Sequence, residues 1–260
     1  MMKKSLRTLA IILTLITIIT SCKRTLNNYS DGALSTYFMP LQVGKYAIYE
    51  LDSLNFYYYG QLDTLTKYYA KDTVEMATQD NAGRPCWLVV RYLSPISATP
   101  TWSAGETYTV TVTPSTVEVV ENNMRFIKLA FPVDSGYTWS GNSYLTYDPY
   151  QDFFDFSDDS HKSLNLWNYT YTHGIQPFTA GTQTYDSAAT VLQVNDSINV
   201  PIVIDTIFAS KTYWTETYAK NVGLVYRHTA MWEYQPPTLD GTQSGYKIGF
   251  ELTMTLLSHN

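Results

Sequence analysis

The chain has 260 residues, 45% hydrophobic, 15% aromatic and 15% charged, with a formal net charge of −6 at pH 7. That length holds one large domain or two small ones, with a core that needs no disulfide staples, and the apolar content excludes wholesale disorder. The acidic balance excludes nucleic acid, whose phosphates demand a basic face, and 23 Tyr, 6 Trp and 34 Thr weigh against coiled coils and helical bundles.

Met1 to Arg7 carry Lys3, Lys4 and Arg7 and no acid. Residues 8–20 form a 13-residue apolar run, shorter than the ~20 residues of a membrane span. The pattern is a secretory leader. It ends in Ile19-Thr20-Ser21-Cys22, which resembles a bacterial lipobox: an apolar residue, two small or polar ones, then the cysteine that is acylated after cleavage. Acyl chains at ~0.8 kcal/mol per buried CH₂ hold a soluble domain on a bilayer. Loss of residues 1–21 takes the net charge from −6 to −9. Residues 22–36 read as a polar, lipidated tether, and 37–260 as the folded domain.

The mature chain reads as strands. Tyr46 to Leu54, Lys71 to Thr78, Cys86 to Leu93 and Thr107 to Thr113 are apolar or alternating runs. Thr116 to Glu121 and Met124 to Phe131 flank Asn122-Asn123, a pair tolerant of positive φ. Asp80-Asn81-Ala82-Gly83 is a second turn. The stretch 63–79 has some helical character, but its β-branched residues favour a strand. Asn168 to Thr172 and Ala188 to Val194 follow. The C-terminal part, 213–235 and 246–257, reads as three consecutive antiparallel strands turning at Asn221 to Gly223 and Pro236 to Gly245. Its alternation places Trp232 and Phe250 in one core, with Glu233 and Glu251 facing away. About ten strands and no convincing amphipathic helix imply an all-β fold, an antiparallel sandwich or open barrel. Met39-Pro40-Leu41-Gln42-Val43-Gly44 echoes Phe131-Pro132-Val133-Asp134-Ser135-Gly136, so either two related β lobes or a repeated Pro–Gly lead-in to a strand is expected.

No Ser-His-Asp order, zinc spacing or phosphate loop stands in the sequence, so no enzymatic role and no cofactor are expected. Cys86, alone once Cys22 is acylated, reads as a small buried hydrophobe. His228 reads as a hydrogen-bonded histidine on the aromatic side of a strand. The run Asp148, Asp152, Asp155, Asp158, Asp159, His161 is a weak calcium candidate, lacking the spacing and glycine of an EF-hand. Its interleaved Tyr150, Phe153, Phe154 and Phe156 suggest an acidic loop pinned by aromatics. Asp-Ser/Thr-apolar triplets, the pattern of Bacteroidota O-glycosylation, place Ser53, Thr64, Thr73, Ser187, Ser197 and Thr206 as candidate glycan acceptors; turn formation by Asp-Ser/Thr is the other explanation.

The segments PLQVGKYAIYELDS, ENNMRFIKLAFPVDSGYTWSGN, YAKNVGLVYRH and YKIGFELTMTLLSHN resemble an uncharacterised family of Bacteroidota outer-membrane lipoproteins, across most of residues 37–260. The family usually carries Trp where Ala47 or Ile48 stands here. The resemblance implies an all-β envelope protein without a catalytic motif. YAKNVGLVY also resembles a strand pair of periplasmic lipid-carrier-like folds. Lys23 after the cysteine resembles outer-membrane sorting, and Lys23-Arg24 departs from the acidic signal of surface-displayed lipoproteins, so the periplasmic face is expected. The function expected is non-enzymatic binding of a hydrophobic or glycan ligand, with Tyr226, Trp232 and Tyr234 as candidate ligand-facing aromatics. The alternative is an assembly lipoprotein that binds another envelope protein through sheet edges.

Overall fold

The computed structural model describes residues 31–97, 99–154, 156 and 163–260. Its frame is one 13-stranded sheet in which every pairing is antiparallel. The strands are β1 (Tyr46–Tyr57), β2 (Leu62–Gln79), β3 (Pro85–Pro95), β4 (Ser103–Val112), β5 (Thr116–Glu121), β6 (Met124–Ala130), β7 (Thr138–Trp139), β8 (Tyr169–Tyr171), β9 (Gln176–Ala180), β10 (Gln183–Ile198), β11 (Ala209–Ala219), β12 (Gly223–Gln235) and β13 (Tyr246–His259). Their order across the sheet is β6-β5-β4-β3-β2-β1-β13-β12-β11-β10-β8-β7, with β9 paired to β10 off this path. Apart from β9 this is an up-and-down meander whose first and last strands, β1 and β13, are neighbours. Its two free ends, β6 and β7, are stitched where Ile127 N donates to Gly141 O at 2.7 Å and Trp139 Nε1 donates to Ile127 O at 2.8 Å. The sheet therefore curls into a nearly closed barrel.

Local chemistry accounts for the turns. Asn122 and Asn123 have φ of 51° and 61°, the left-handed pair of a tight hairpin. At the β2–β3 turn Asp80 Oδ1 accepts from Ala82 N at 2.9 Å and Arg84 N at 3.0 Å. The stretch 63–79 is strand throughout, and the three C-terminal strands pair as their alternation implied.

The barrel has two corresponding halves, β1–β6 and β7–β13, and each opens on one copy of the echoed segment. Lys45 N donates to Gln42 O and Tyr137 N to Asp134 O, both at 3.0 Å, closing the same turn around Gly44 and Gly136. Each turn then docks alike: Gly44 N on Val74 O at 2.8 Å, Gly136 N on Tyr171 O at 2.9 Å. The echo thus marks two halves of a single sheet.

Among the described residues a short α-helix, α1 (Asp31–Phe38), precedes β1. Phe38 is buried and its ring stacks on Phe131 with centroids 6.5 Å apart, while Asn221 N donates to Tyr37 O at 2.7 Å. Packed structure therefore begins ahead of residue 37, inside the segment expected as tether, because Leu34 and Phe38 find apolar partners at the barrel end.

The main core fills the lumen with Val74, Val89, Val110, Val119, Phe126, Tyr169, Tyr171, Val191, Trp214, Tyr218 and Met231. A smaller core on the outer side of β11–β13 joins Ala209, Ala230 and Trp232 to Phe56 and Ile202. Here the sequence expectation needs correction. Trp232 pairs with Gly249, and its neighbour Met231 pairs with Phe250. Successive residues point to opposite faces, so Phe250 packs on the lumen core and Trp232 outside it. Glu233 is 1% exposed and does not face away. Glu251 is on the outer face but is held among donors described below.

Candidate functional site

At the β5–β6 end of the barrel, the segment after β7 is fixed by two buried polar side chains. Asn142 donates from Nδ2 to Leu164 O at 2.7 Å and accepts from the Tyr169 hydroxyl at 2.6 Å. Asp148 caps the 3-10 turn Pro149–Asp152, accepting from Tyr150 N and Leu164 N, each at 2.9 Å. Gly141 is obligatory, because a Cβ there would lie 2.4 Å from the Tyr169 ring. Of the four rings expected to pin this loop, three pack and Phe153 is exposed: Phe154 sits 6.5 Å from Tyr150, 5.2 Å from Phe156 and 5.7 Å from Phe250, centroid to centroid.

This segment and the Asn122-Asn123 turn enclose an open groove of about 630 Å³. Its lining includes both asparagines, Met124, Pro149 and four aromatics, of which Tyr144, Tyr147 and Phe153 are 52%, 60% and 78% exposed. Below it, sharing Asn122, Met124 and Tyr150, lies a chamber of about 160 Å³ inside the barrel. Four rings line the chamber, Phe126 and a cluster of three: Tyr150 is 6.0 Å from Trp214 and 5.5 Å from Phe250, and Trp214 is 6.4 Å from Phe250.

Six charged side chains join these rings in the lining, held in a network that reaches Asp72, Tyr108 and Tyr218 beyond it. Lys128, 1% exposed, has its Nζ 3.0 Å from Glu216 and 3.2 Å from Glu121. Arg227 lies 2.8 Å from Glu216 and 3.5 Å from Glu121. Arg91 pairs with Glu106 and Asp72, both at 2.7 Å. The Tyr218 hydroxyl donates to Glu216 at 2.7 Å and that of Tyr108 to Asp72 at 2.9 Å. Burial pushes the Glu121 carboxyl up, but Lys128 and Arg227 together outweigh it and hold the group at about 2. Glu216 is likewise held below the usual carboxylate range by the same two cations against burial. Burial raises Tyr150 to about 12, so its hydroxyl stays neutral. A second cavity of about 90 Å³ lies toward α1, walled by Met39, Leu41, Val110 and Leu224 and meeting Arg91 and Arg227 at its floor. Arg91 and Arg227 therefore divide the lumen.

The aromatics expected to face a ligand lie elsewhere. Tyr226, Trp232 and Tyr234 are on the outer face of β12 and border none of these three spaces. Trp232 Nε1 donates to Glu251 at 3.0 Å, the Tyr234 hydroxyl donates to Asp205 O at 2.9 Å, and the Tyr226 ring lies 5.8 Å from Phe178. His228 is hydrogen-bonded as expected, to Glu251 at 2.8 Å, and Lys211 completes this outer cluster at 2.7 Å. Burial raises Glu251, but these three donors prevail and hold it at about 2. Cys86 is buried, and burial raises its thiol pKa.

Of the candidate glycan acceptors, Ser197 and Thr206 are exposed, while Ser53, Thr64, Thr73 and Ser187 are half-buried within strands. Thr206 lies in a turn, Thr64 and Ser197 near strand ends, and Ser53, Thr73 and Ser187 further inside strands. Cys22 and the calcium candidates Asp155, Asp158 and Asp159 fall outside the described residues, and Asp152 ends the 3-10 turn. Among the described residues no group of three or more His, Cys, Asp or Glu could hold a metal ion.

Sequence reasoning missed the charged chamber. Its signal was a charge set among apolar and aromatic residues of a strand: Lys128 in FIKLAF, Arg227 in LVYRH, Glu216 in YWTETY. Each belongs to a different strand, so only the fold brings them together.

These features define an antiparallel meander barrel with a charged lumen and an aromatic groove at one end. No protein-family model matches the chain, and no curated protein matches it. Among solved structures it is similar to a candidate exported protein with YmcC-like fold from Bacteroides fragilis, at 11% identity and a TM-score of 0.37, over 86% of this chain and 99% of that one.

Proposed function

We propose that this is a non-enzymatic, lipid-anchored envelope protein that binds a glycan in the groove of Tyr144, Tyr147 and Phe153. The groove carries the reading. Its volume of about 630 Å³ is within the range of ligand sites, whereas the lumen offers only about 90 and 160 Å³. Exposed rings give flat apolar faces for sugar C–H groups, and Asn122 and Asn123 supply amides at the rim for hydroxyls. A purely hydrophobic cargo suits this mixed rim less well. Anchoring rests on the Ile19-to-Cys22 pattern and the apolar run before it, and Lys23 favours the periplasmic face of the outer membrane. Barrel closure counts against assembly through sheet edges, since β6 and β7 face each other and β9, the remaining edge, is five residues long. Ser197 and Thr206, exposed in the folded chain, are the acceptors open to O-glycosylation.

Native mass spectrometry of the chain extracted from its own envelope tests this. The expected result is acylated Cys22 and a sugar mass that leaves on collisional activation, unlike a covalent glycan, and is missing in Tyr147→Ala. A retained lipid or protein in place of sugar, or Cys22→Ala remaining in the membrane fraction, would overturn it.

A further inference from the structure

Resting on the glycan reading of the groove, we infer that the chamber behind Tyr150 receives one uncharged sugar ring, the end unit of the glycan. Groove and chamber share Asn122, Met124 and Tyr150, so the two spaces adjoin. At about 160 Å³ the chamber has room for on the order of ten waters, which suits one pyranose ring and not two. Polar walls of this kind do not stay dry.

The charges set the ligand class. The chamber is lined by three acids, Glu106, Glu121 and Glu216, and three cations, Arg91, Lys128 and Arg227. Each acid lies within 3.5 Å of one of these cations. A uronate or an amino sugar would bring an uncompensated charge into a site of low polarisability, and that is costly. A neutral polyol adds no charge. Its hydroxyls donate to carboxylates and accept from ammonium and guanidinium groups, the stronger class of hydrogen bond. Trp214 gives a ring face, and its Nε1 is buried with no hydrogen-bond partner among the described residues. A ring or hydroxyl oxygen would satisfy that donor.

The test uses the full acylated chain in detergent. Calorimetry and tryptophan emission are followed on adding methyl glycosides of glucose, galactose, mannose and N-acetylglucosamine, with glucuronate and glucosamine as charged probes. At least one neutral glycoside is expected to bind saturably, and both charged sugars at least tenfold more weakly. Glu121→Gln, which removes an acid that both Lys128 and Arg227 face, should move the preference toward glucuronate. Tyr150→Trp, which narrows the passage, should abolish monosaccharide binding and serves if Glu121→Gln does not fold. Charged sugars binding as tightly as neutral ones, or unaltered binding in both variants, would overturn the inference. If no monosaccharide binds while the envelope-derived chain still retains glycan through Tyr147, the inference fails and the groove reading stands. If neither occurs, both fail.

Discussion

The inner and outer faces of β11–β13 each hold a carboxylate surrounded by three donor side chains. Inside, Glu216 meets Lys128, Arg227 and Tyr218 and is 1% exposed. Outside, Glu251 meets Lys211, His228 and Trp232 with 21% of its side chain exposed. The partner sets are alike, and the difference is exposure to bulk solvent. An ion pair open to bulk solvent is screened and worth little, whereas a buried one leaves a poorly solvated charge when either member is removed. The lumen network is thus a structural commitment, and the outer cluster is a local brace.

Glu216→Ala should be the most damaging change. It leaves Lys128 and Arg227 with Glu121 alone and should cost about 3–5 kcal/mol in urea unfolding; a loss below about 1 kcal/mol would show that Glu121 and the chamber's water compensate the two cations. Trp232→Ala should cost about 3–4 kcal/mol by emptying the outer core, with glycan retention unchanged. Loss of retention at full stability would make the outer face the binding wall. Acid should come next. Glu121 and Glu251 are held at about 2 in the folded chain, below the ordinary 4.5. Because the folded values are depressed, their stabilisation is complete above about pH 5 and fades as pH falls toward 2. For Glu121 the loss is on the order of 3 kcal/mol, so the melting temperature should hold from pH 8 to about 5.5 and then drop. A Glu121→Gln protein, if folded, should lose part of that acid dependence. Glu251→Ala should cost about 1–2 kcal/mol, since three donors lose their acceptor. Tyr147→Ala should shift stability by less than about 0.5 kcal/mol while removing the retained sugar.

The strands were legible because alternation and turn residues coincide. Asn122-Asn123 sits between a β-branched run and an apolar one, and Asn221 to Gly223 between two aromatic ones. What alternation does not tell is which side is inside. Along β12, Tyr226, Trp232 and Tyr234 occupy one parity and Arg227, Met231 and Glu233 the other. The side richer in rings looked like the core, yet the barrel turns it outward under the 199–208 loop, where Ile202 and Phe56 cover Trp232. The register shift at Thr217/Tyr218 breaks the alternation before that run begins. The chamber was harder still. Lys128 and Glu216 are 88 residues apart, and nothing local to either shows that β6 and β11 will face each other across a lumen. β9 escaped notice because Gln176–Ala180 is short and begins Gln-Pro.

The pairing of β1 with β13 sets a timetable. Tyr46 N donates to the Asn260 side chain across 214 residues of sequence. The first strand synthesised therefore waits for the last, and until then one of its edges has no neighbour. Such a distant closing contact slows folding, and an unmated edge invites other chains. A chain cut short before Tyr246 would have no smaller barrel to retreat to. It would carry two open edges in place of one seam, and it should be found in the insoluble fraction or among the products of proteolysis.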